Sequence, residues 1–319
     1  MSDGTPIQIH ELSQLRVYVN LIGYADQGES IVVLLKDGGE SVLYSIVVDS
    51  YEISGINKTT ELLKSPIDIL CWTHPDEDHS VGLEKIITYF CNKNSIVLLP
   101  YGLEEGVKIR NLGEVEPIIA QVFDLGNQRA KPVYSISAHL KQYDQIDSFQ
   151  ITDDYGGNVN VSIRALAPNR EYIFDKIHGK NEIDKNTLSI VLVINIGPYR
   201  FLLTSDVEDM MIVKMAKEDY QNPIWVKIPH HASKSSLTLV DFLLTGESPQ
   251  LLAGTTIKKA SSLPNGEVIK AYQNISDQVN STGDILEEPK DCYGMVCYCF
   301  DLFGKKTVNI HCEGNAIKC

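Results

Sequence analysis

The sequence predicts an α/β protein, an αββα sandwich with a polar site along one edge, and three observations predict it. Apolar runs of strand length alternate with stretches of helical periodicity, the alternation recurs in two βα-rich halves at roughly 1–150 and 151–319, and polar clusters follow directly on several apolar runs. No Pro-, Gly- or Ser-rich linker separates the halves, so a single domain over 1–319 is expected. Its 319 residues with 43% apolar content suffice for a substantial core.

The N-terminal third reads as a strand meander: 15–22, 30–35, a turn at Asp37-Gly38-Gly39, then 42–48 closing at Asp49. Helical periodicity begins at 59–64. The apolar run 67–72 reads as a short buried strand, followed by a helix at 81–90, a strand at 95–99, a polar helix-like stretch to Asp124 and a strand at 132–137. In the second half, strands are expected at 159–166, 188–194 and 199–203, with a helix at 208–218. A strand at 224–228 runs into Pro229-His230-His231, and a helix at 237–244, a strand at 251–254, a helix at 266–272 and a strand-like stretch at 293–303 complete the pattern.

The formal net charge of −14 argues against a surface that coats nucleic acid, because affinity for a polyanion comes from Lys and Arg neutralising phosphates. A nucleotide substrate stays open, since divalent cations in a cleft invert the local field. Seven cysteines, without Cys-x-x-Cys spacing, read as reduced and mostly buried thiols. The opening residues lack the basic and apolar pattern of a signal, and the best apolar run, 188–203, is broken by Asn195, Gly197, Pro198 and Arg200. A soluble cytoplasmic protein without a membrane span is expected.

The densest chemical signal is Thr73-His74-Pro75-Asp76-Glu77-Asp78-His79-Ser80, which packs four oxygen or nitrogen ligands into six residues after a buried strand. A sharp turn there can aim His74 and Asp76 at one divalent cation and Asp78 with His79 at a second. Downstream, Asp206 follows the apolar run Phe201-Leu202-Leu203, and His230-His231 follows Ile228. Alone, Asp206 reads as a helix cap and the paired histidines as surface residues; with the first cluster they complete a ligand set.

The order Asp49, His74-x-Asp76-x-Asp78-His79, Asp206, His230-His231 resembles the metallo-β-lactamase fold. Its pattern is His-x-His-x-Asp-His with a downstream Asp and a final His. The sequence is more similar to the metallo-β-lactamase domain of the ComEC family of DNA-uptake proteins, where Asp replaces the second His, as at Asp76. Further matching segments are Gln27-Gly28-Glu29-Ser30, Asn186-Thr187-Leu188-Ser189, Leu203-Thr204-Ser205-Asp206-Val207-Glu208 and Pro229-His230-His231-Ala232-Ser233-Lys234-Ser235-Ser236. Two departures stand out: members often carry Gly at the position of Ala232, and His-Pro where this chain has Leu263-Pro264. For the middle His of the wider fold, His139 is the candidate; His10 and His178 read as surface residues.

The resemblance implies a metal-dependent hydrolase with His74, Asp76, Asp78, His79, His139, Asp206 and His230 as ligands of two divalent ions, zinc or manganese, with magnesium possible. The carboxylate at Asp76 moves that position toward harder ions. Asp78 is expected to orient a hydroxide between the cations, with His231 and Lys234 as further catalytic groups. Asn186, Ser233, Lys234 and Ser236 are expected to meet substrate, and Asp49 to hold a metal-binding imidazole. The segment 169–186 reads as an exposed loop or as a basic lid for an anionic ligand. The leading expectation is a phosphodiesterase or nuclease acting on DNA or a nucleotide, serving degradation, signal removal or anti-phage defence. Alternatives are a carboxylic ester, thioester or lactone hydrolase, and a weakly active metal-binding sensor with a protein partner. A protein partner or homo-oligomer is compatible with each.

Overall fold

Strands that alternate their side chains between two faces need apolar partners on both, and the chain supplies them by stacking two mixed sheets between helices. The computed structural model describes residues 6–25, 27–64, 66–103, 107–128, 133–138, 144–215, 221–243, 251–303 and 308–318. One sheet runs Val308–Gly314 (β16), Tyr293–Asp301 (β15), Arg16–Tyr24 (β2), Glu29–Lys36 (β3), Val42–Val48 (β4), Ile69–Cys71 (β5), Ile96–Pro100 (β6) and Val133–Ile136 (β7). The other runs Ile7–Ile9 (β1), Asp144–Asp153 (β8), Asn158–Ala167 (β9), Val191–Ile196 (β10), Tyr199–Leu203 (β11), Trp225–Lys227 (β12), Leu252–Thr255 (β13), Gln278–Ser281 (β14) and Ile317–Lys318 (β17).

Between the sheets, Val19, Leu21, Val33, Ile46 and Ile69 meet Ile163, Leu192, Ile194, Phe201 and Trp225 in one core. Phe201 and Phe300 pack edge to face with centroids 5.0 Å apart, the favoured geometry for aromatic quadrupoles. On the outer face of one sheet, Val47, Leu70 and Val97 are covered by Leu83–Phe90 (α2) and Glu116–Gln128 (α3), through Leu83, Ile86, Ile87 and Val122. On the other, Leu202, Val226 and Ala253 lie under Asp209–Ile212 (α5), Thr238–Leu243 (α6) and Gly266–Gln273 (α7), through Met211, Leu239, Val268 and Tyr272. The layers are therefore α, β, β, α, as the sequence predicts. Two further helices, Lys58–Leu62 (α1) and Arg170–His178 (α4), complete the described set.

Within each sheet a run of antiparallel strands gives way to a run of parallel ones, and both changes bear on the site. In the first sheet β3 and β4 are antiparallel while β4, β5 and β6 are parallel; in the second β10 and β11 are antiparallel while β11, β12 and β13 are parallel. Parallel strands share one carboxyl edge, where loops carrying functional groups collect. Asp49 and His74 leave β4 and β5 there; Asp206 and His230 leave β11 and β12 there.

Several expectations shift. The segment 169–186, read as a loop, contains α4, started by the Asn169 side chain accepting from the Tyr172 amide and anchored by buried Ile173. Residues 185–188 form a 3-10 turn, so the strand expected from 188 begins at Val191. Strand β8 escaped the pattern because its register shifts between Gln145 and Asp147, which breaks the two-residue period of Ile146, Phe149 and Ile151. The described cysteines are free, and no helix among the described residues is long and apolar enough to cross a membrane.

Candidate metal centre

The loop after β5 is held rigid before any ligand enters. Asp49, with φ of 60°, accepts from the Thr73 amide and the Thr73 hydroxyl, each at 2.7 Å, and its Oδ2 lies 2.7 Å from His79 Nδ1. Asp76 caps the Glu77–His79 turn by accepting from the Glu77 amide at 2.8 Å, and Trp72 Nε1 donates to Ser80 Oγ at 3.0 Å. Ser205 Oγ donates to Thr73 Oγ1 at 2.7 Å, which joins the two sheets at the site.

Around this frame the imidazoles and carboxylates converge. His79 Nε2 lies 3.5 Å from Asp206 Oδ2 and 3.8 Å from Asp78 Oδ2. His231 Nε2 lies 3.1 Å from Asp78 Oδ2 and 3.4 Å from Asp206 Oδ2. The His74 ring stacks obliquely on His79 with centroids 4.3 Å apart. His74 Nε2, His79 Nε2, Asp78 Oδ1 and Asp206 Oδ2 are buried and carry no hydrogen bond. An orphaned polar atom in the interior costs desolvation energy without return, and four orphans on side chains of one cluster have the donor chemistry of metal ligands. Glu29, His79, Asp206 and His231 also place one ligand atom each within 4.8 Å of one another.

Two groups behind the imidazoles had no assigned role in the sequence reading. Glu29 Oε1 pairs with Lys227 Nζ at 2.6 Å, and Lys227 also reaches Asp206 Oδ1 at 3.1 Å and the Ser205 carbonyl at 2.9 Å. Thr256 donates to Glu29 Oε2 and lies 2.7 Å from His231 Nδ1, so a chain from imidazole through hydroxyl to carboxylate leaves Nε2 directed at Asp78. A lysine inside the apolar run Ile224-Trp225-Val226-Lys227-Ile228 was the available signal for Lys227. For Glu29 it was the Gln27-Gly28-Glu29-Ser30 segment.

The charges reinforce one another. Burial opposes ionisation of Asp206 and Asp78, yet His231 and Lys227 beside Asp206, and His79 beside Asp78, hold both carboxyls well below the usual range. Burial would lower His79, but Asp206, Asp78, Glu29 and Asp49 outweigh it and hold the imidazole well above its ordinary value. For His74, burial and the neighbouring His79 push the imidazole well down, toward the neutral form that ligates metals. At Asp49, burial raises the carboxyl despite His79 and Thr73.

The backbone is contorted at the same places. Asp49, Ser205, His230, His231 and Ala232 have φ of 60°, 49°, 50°, 49° and 61°. Left-handed conformations cost L-residues on the order of 1–2 kcal/mol each, and such strain collects at functional sites. The φ of Ala232 also explains why glycine would suit that position.

The remaining expected site residues fall in different places. Asp76 is held by two lysines: Oδ1 pairs with Lys185, and Oδ2 lies 3.7 Å from Lys258. His231 is fully buried among the carboxylates, whereas His230 is half-buried, 4.0 Å from Asp206 Oδ2, with Nδ1 near Ser235 Oγ at 3.0 Å and Glu208 Oε1 at 3.2 Å. Asn186 Nδ2 lies 3.3 Å from His230 Nε2. Ser233 caps the Lys234–Ser236 turn, and Ser236 donates to the carbonyls of Pro229 and Ser233. Lys234 is exposed and pairs with Glu267. His10 and His178 are exposed, as expected. His139 lies outside the described residues.

No family model and no curated protein matches the chain. Among solved structures it is similar to the metallo-beta-lactamase fold protein YhfI from Bacillus subtilis, with a TM-score of 0.43 and 12% identity over 93% of this chain and 100% of that one. It is also similar to a diphosphatase from the PhnP family, with a TM-score of 0.41 and 12% identity over 79% of this chain and 92% of that one. A third similarity is to the CmlA beta-hydroxylase E377D mutant, with a TM-score of 0.37 and 18% identity over 66% of this chain; the chain spans only 34% of the length of that hydroxylase.

Proposed function

We propose that the chain is a metal-dependent hydrolase of phosphodiesters, acting on DNA or a nucleotide. The observation that carries this reading is the set of four buried, unpartnered atoms, His74 Nε2, His79 Nε2, Asp78 Oδ1 and Asp206 Oδ2, contributed by the carboxyl edges of both sheets. A divalent cation held there supplies positive charge for the anion that develops during displacement, and a water of lowered pKa. Asp49 fixes the His79 ring, and Thr256 with Glu29 fixes His231, so both Nε2 atoms stay aimed inward without reorganisation. Asp78, between His231 and Lys258, is placed to orient the attacking water.

Substrate charge separates phosphodiesters from the carboxylic esters that the same chemistry would cleave. Lys258 and Lys185 bring two ammonium groups to the cluster, which favours an anionic ester over a neutral one. The overall charge of −14 favours a short or single-stranded nucleic acid over long duplex.

The test is a paired assay on one preparation reconstituted with Mn²⁺: bis(p-nitrophenyl) phosphate against p-nitrophenyl acetate, for the wild type, His79→Ala and Asp78→Ala. Phosphodiester cleavage by the wild type, lost in both variants, is expected. Unchanged turnover in the variants, or cleavage of the acetate alone, overturns the reading.

A further inference from the structure

Two ions at this centre would need carboxylate oxygens facing each of them, but much of that surface already faces ammonium groups. Lys258 Nζ lies 2.5 Å from Asp78 Oδ2 and 3.7 Å from Asp76 Oδ2, spanning the two aspartates that flank the outer half of the cluster. Asp76 Oδ1 is taken by Lys185 and by the Glu77 amide. These are not loosely swinging surface lysines: their side chains are 18% and 29% exposed. Lys258 sits just past β13 in a turn closed by its own backbone, its amide donating to the Leu263 carbonyl at 2.9 Å and its loop bridging back to Leu263.

The inner half differs. His79, Asp206 and His231 surround a space whose unpartnered atoms face no ammonium group: His79 Nε2 and Asp206 Oδ2 are both orphaned, and Lys227 holds only the far oxygen of Asp206, Oδ1. Resting on the metal-dependent reading above, we propose that this centre binds one divalent cation tightly, at His79, Asp206 and His231, and that the Lys258 ammonium stands in place of a second, between Asp76 and Asp78.

Charge balance points the same way. Five carboxylates meet in the buried cluster, from Glu29, Asp49, Asp76, Asp78 and Asp206, against three ammonium groups from Lys185, Lys227 and Lys258. With the imidazoles neutral, as metal ligation requires, the two negative charges left over equal the charge of one divalent ion. A second ion beside Lys258 would add positive charge without a counter-ion in a largely buried region, where unpaired charge is costly. The ammonium also presents donors to a substrate oxygen, a role that an anionic phosphate fills and a neutral ester fills poorly.

The full chain, stripped with chelator, is titrated calorimetrically with Mn²⁺, and the product is examined by electron paramagnetic resonance. One ion per chain with a magnetically isolated Mn²⁺ signal is expected for the wild type. Lys258→Met is expected to take up a second ion at least ten-fold more tightly than the wild type does. Two ions of comparable affinity giving an exchange-coupled pair in the wild type, or no gain of a second ion in a folded Lys258→Met, overturns the inference and leaves the hydrolase reading intact. Should Lys258→Met fail to fold, the wild-type stoichiometry and spectrum decide. No ion bound by the wild type at all overturns the metal-dependent reading itself.

Discussion

Asp49 Oδ2 lies 2.7 Å from His79 Nδ1, and the same carboxylate receives both the amide and the hydroxyl of Thr73 at 2.7 Å. One buried side chain therefore sets the start of the loop after β5 and the orientation of an imidazole six residues further on. Carboxylates behind metal-binding imidazoles typically contribute 10- to 100-fold in metal affinity. Asp49→Asn keeps the shape and one acceptor but loses the charge, so Mn²⁺ affinity should fall by roughly that factor. Competition against a chelating dye reads it directly; an unchanged constant would show that Asp49 only shapes the loop.

Lys227 presents a different dependence, because it is fully buried between Glu29 and Asp206. Removing one partner of a buried ion pair leaves the other charge stranded, at about 3–5 kcal/mol. Lys227→Met should destabilise the metal-free protein by that order in urea unfolding. Glu29→Gln in the same chain should recover part of the loss, since it removes one of the stranded charges. A double variant no more stable than the single one would mean that Lys227 acts through Asp206 alone.

The layer order and most strands were legible because strands such as β4 and β5 alternate cleanly, Ile46 and Ile69 toward the inter-sheet core, Val47 and Leu70 toward the outer helices. The 74–79 loop stood out because a dense set of ionisable groups follows directly on a buried strand. Glu29 and Lys227 were not, because a charge inside an apolar strand only acquires meaning once its partner is known. They are 198 positions apart in sequence, and the pairing of their sheets brings them together. The placement of His231 within the cluster and His230 at its margin was equally hidden. Adjacent residues diverge there only because both adopt left-handed backbone conformations.

At the opposite end of the second sheet, His10 Nδ1 meets Asp154 Oδ2 at 2.9 Å and ties the edge strand β1 to the turn between β8 and β9. The hydrogen bond and charge of Asp154 raise the imidazole, and His10 with Gln8 lowers the carboxyl. The raised imidazole contributes fully below its unfolded value of about 6.5 and loses its contribution as pH rises through the folded value. The lowered carboxyl contributes above about 3.9 and loses its contribution as pH falls through its own folded value. The tie is thus strongest between about pH 4 and 6.5, and weakens in salt because both groups are exposed. NMR titration should place His10 above 6.5 in the wild type and return it toward 6.5 in Asp154→Asn; the same midpoint in both proteins would rule the pair out.

Where β14 leads back over the first sheet, glycine is required by contact rather than by turn geometry. Gly294 on β15 pairs with Gly23 on β2 and Gly314 on β16, a row of three glycines across neighbouring strands. The chain at Thr282 passes over this row: a Cβ on Gly294 would lie 1.8 Å from the Thr282 carbonyl oxygen and 2.8 Å from the Ala316 nitrogen, and one on Gly23 would lie 2.0 Å from Thr282 Oγ1. Threonine Oγ1 can rotate away, but the obstacles above Gly294 are backbone and cannot move without parting the strands. Gly294→Ala should therefore cost about 3 kcal/mol, the upper end for overpacking, and lower the melting temperature by roughly 4–5 °C in a chain of this size. Gly266→Ala, whose Cβ meets nothing within 4 Å at the start of α7, serves as the control and should be neutral or stabilising by up to about 1 kcal/mol. Thermal melts of the two variants side by side separate the causes: equal melting temperatures would mean that the sheets yield at Thr282 and that the close approach is not what holds this edge.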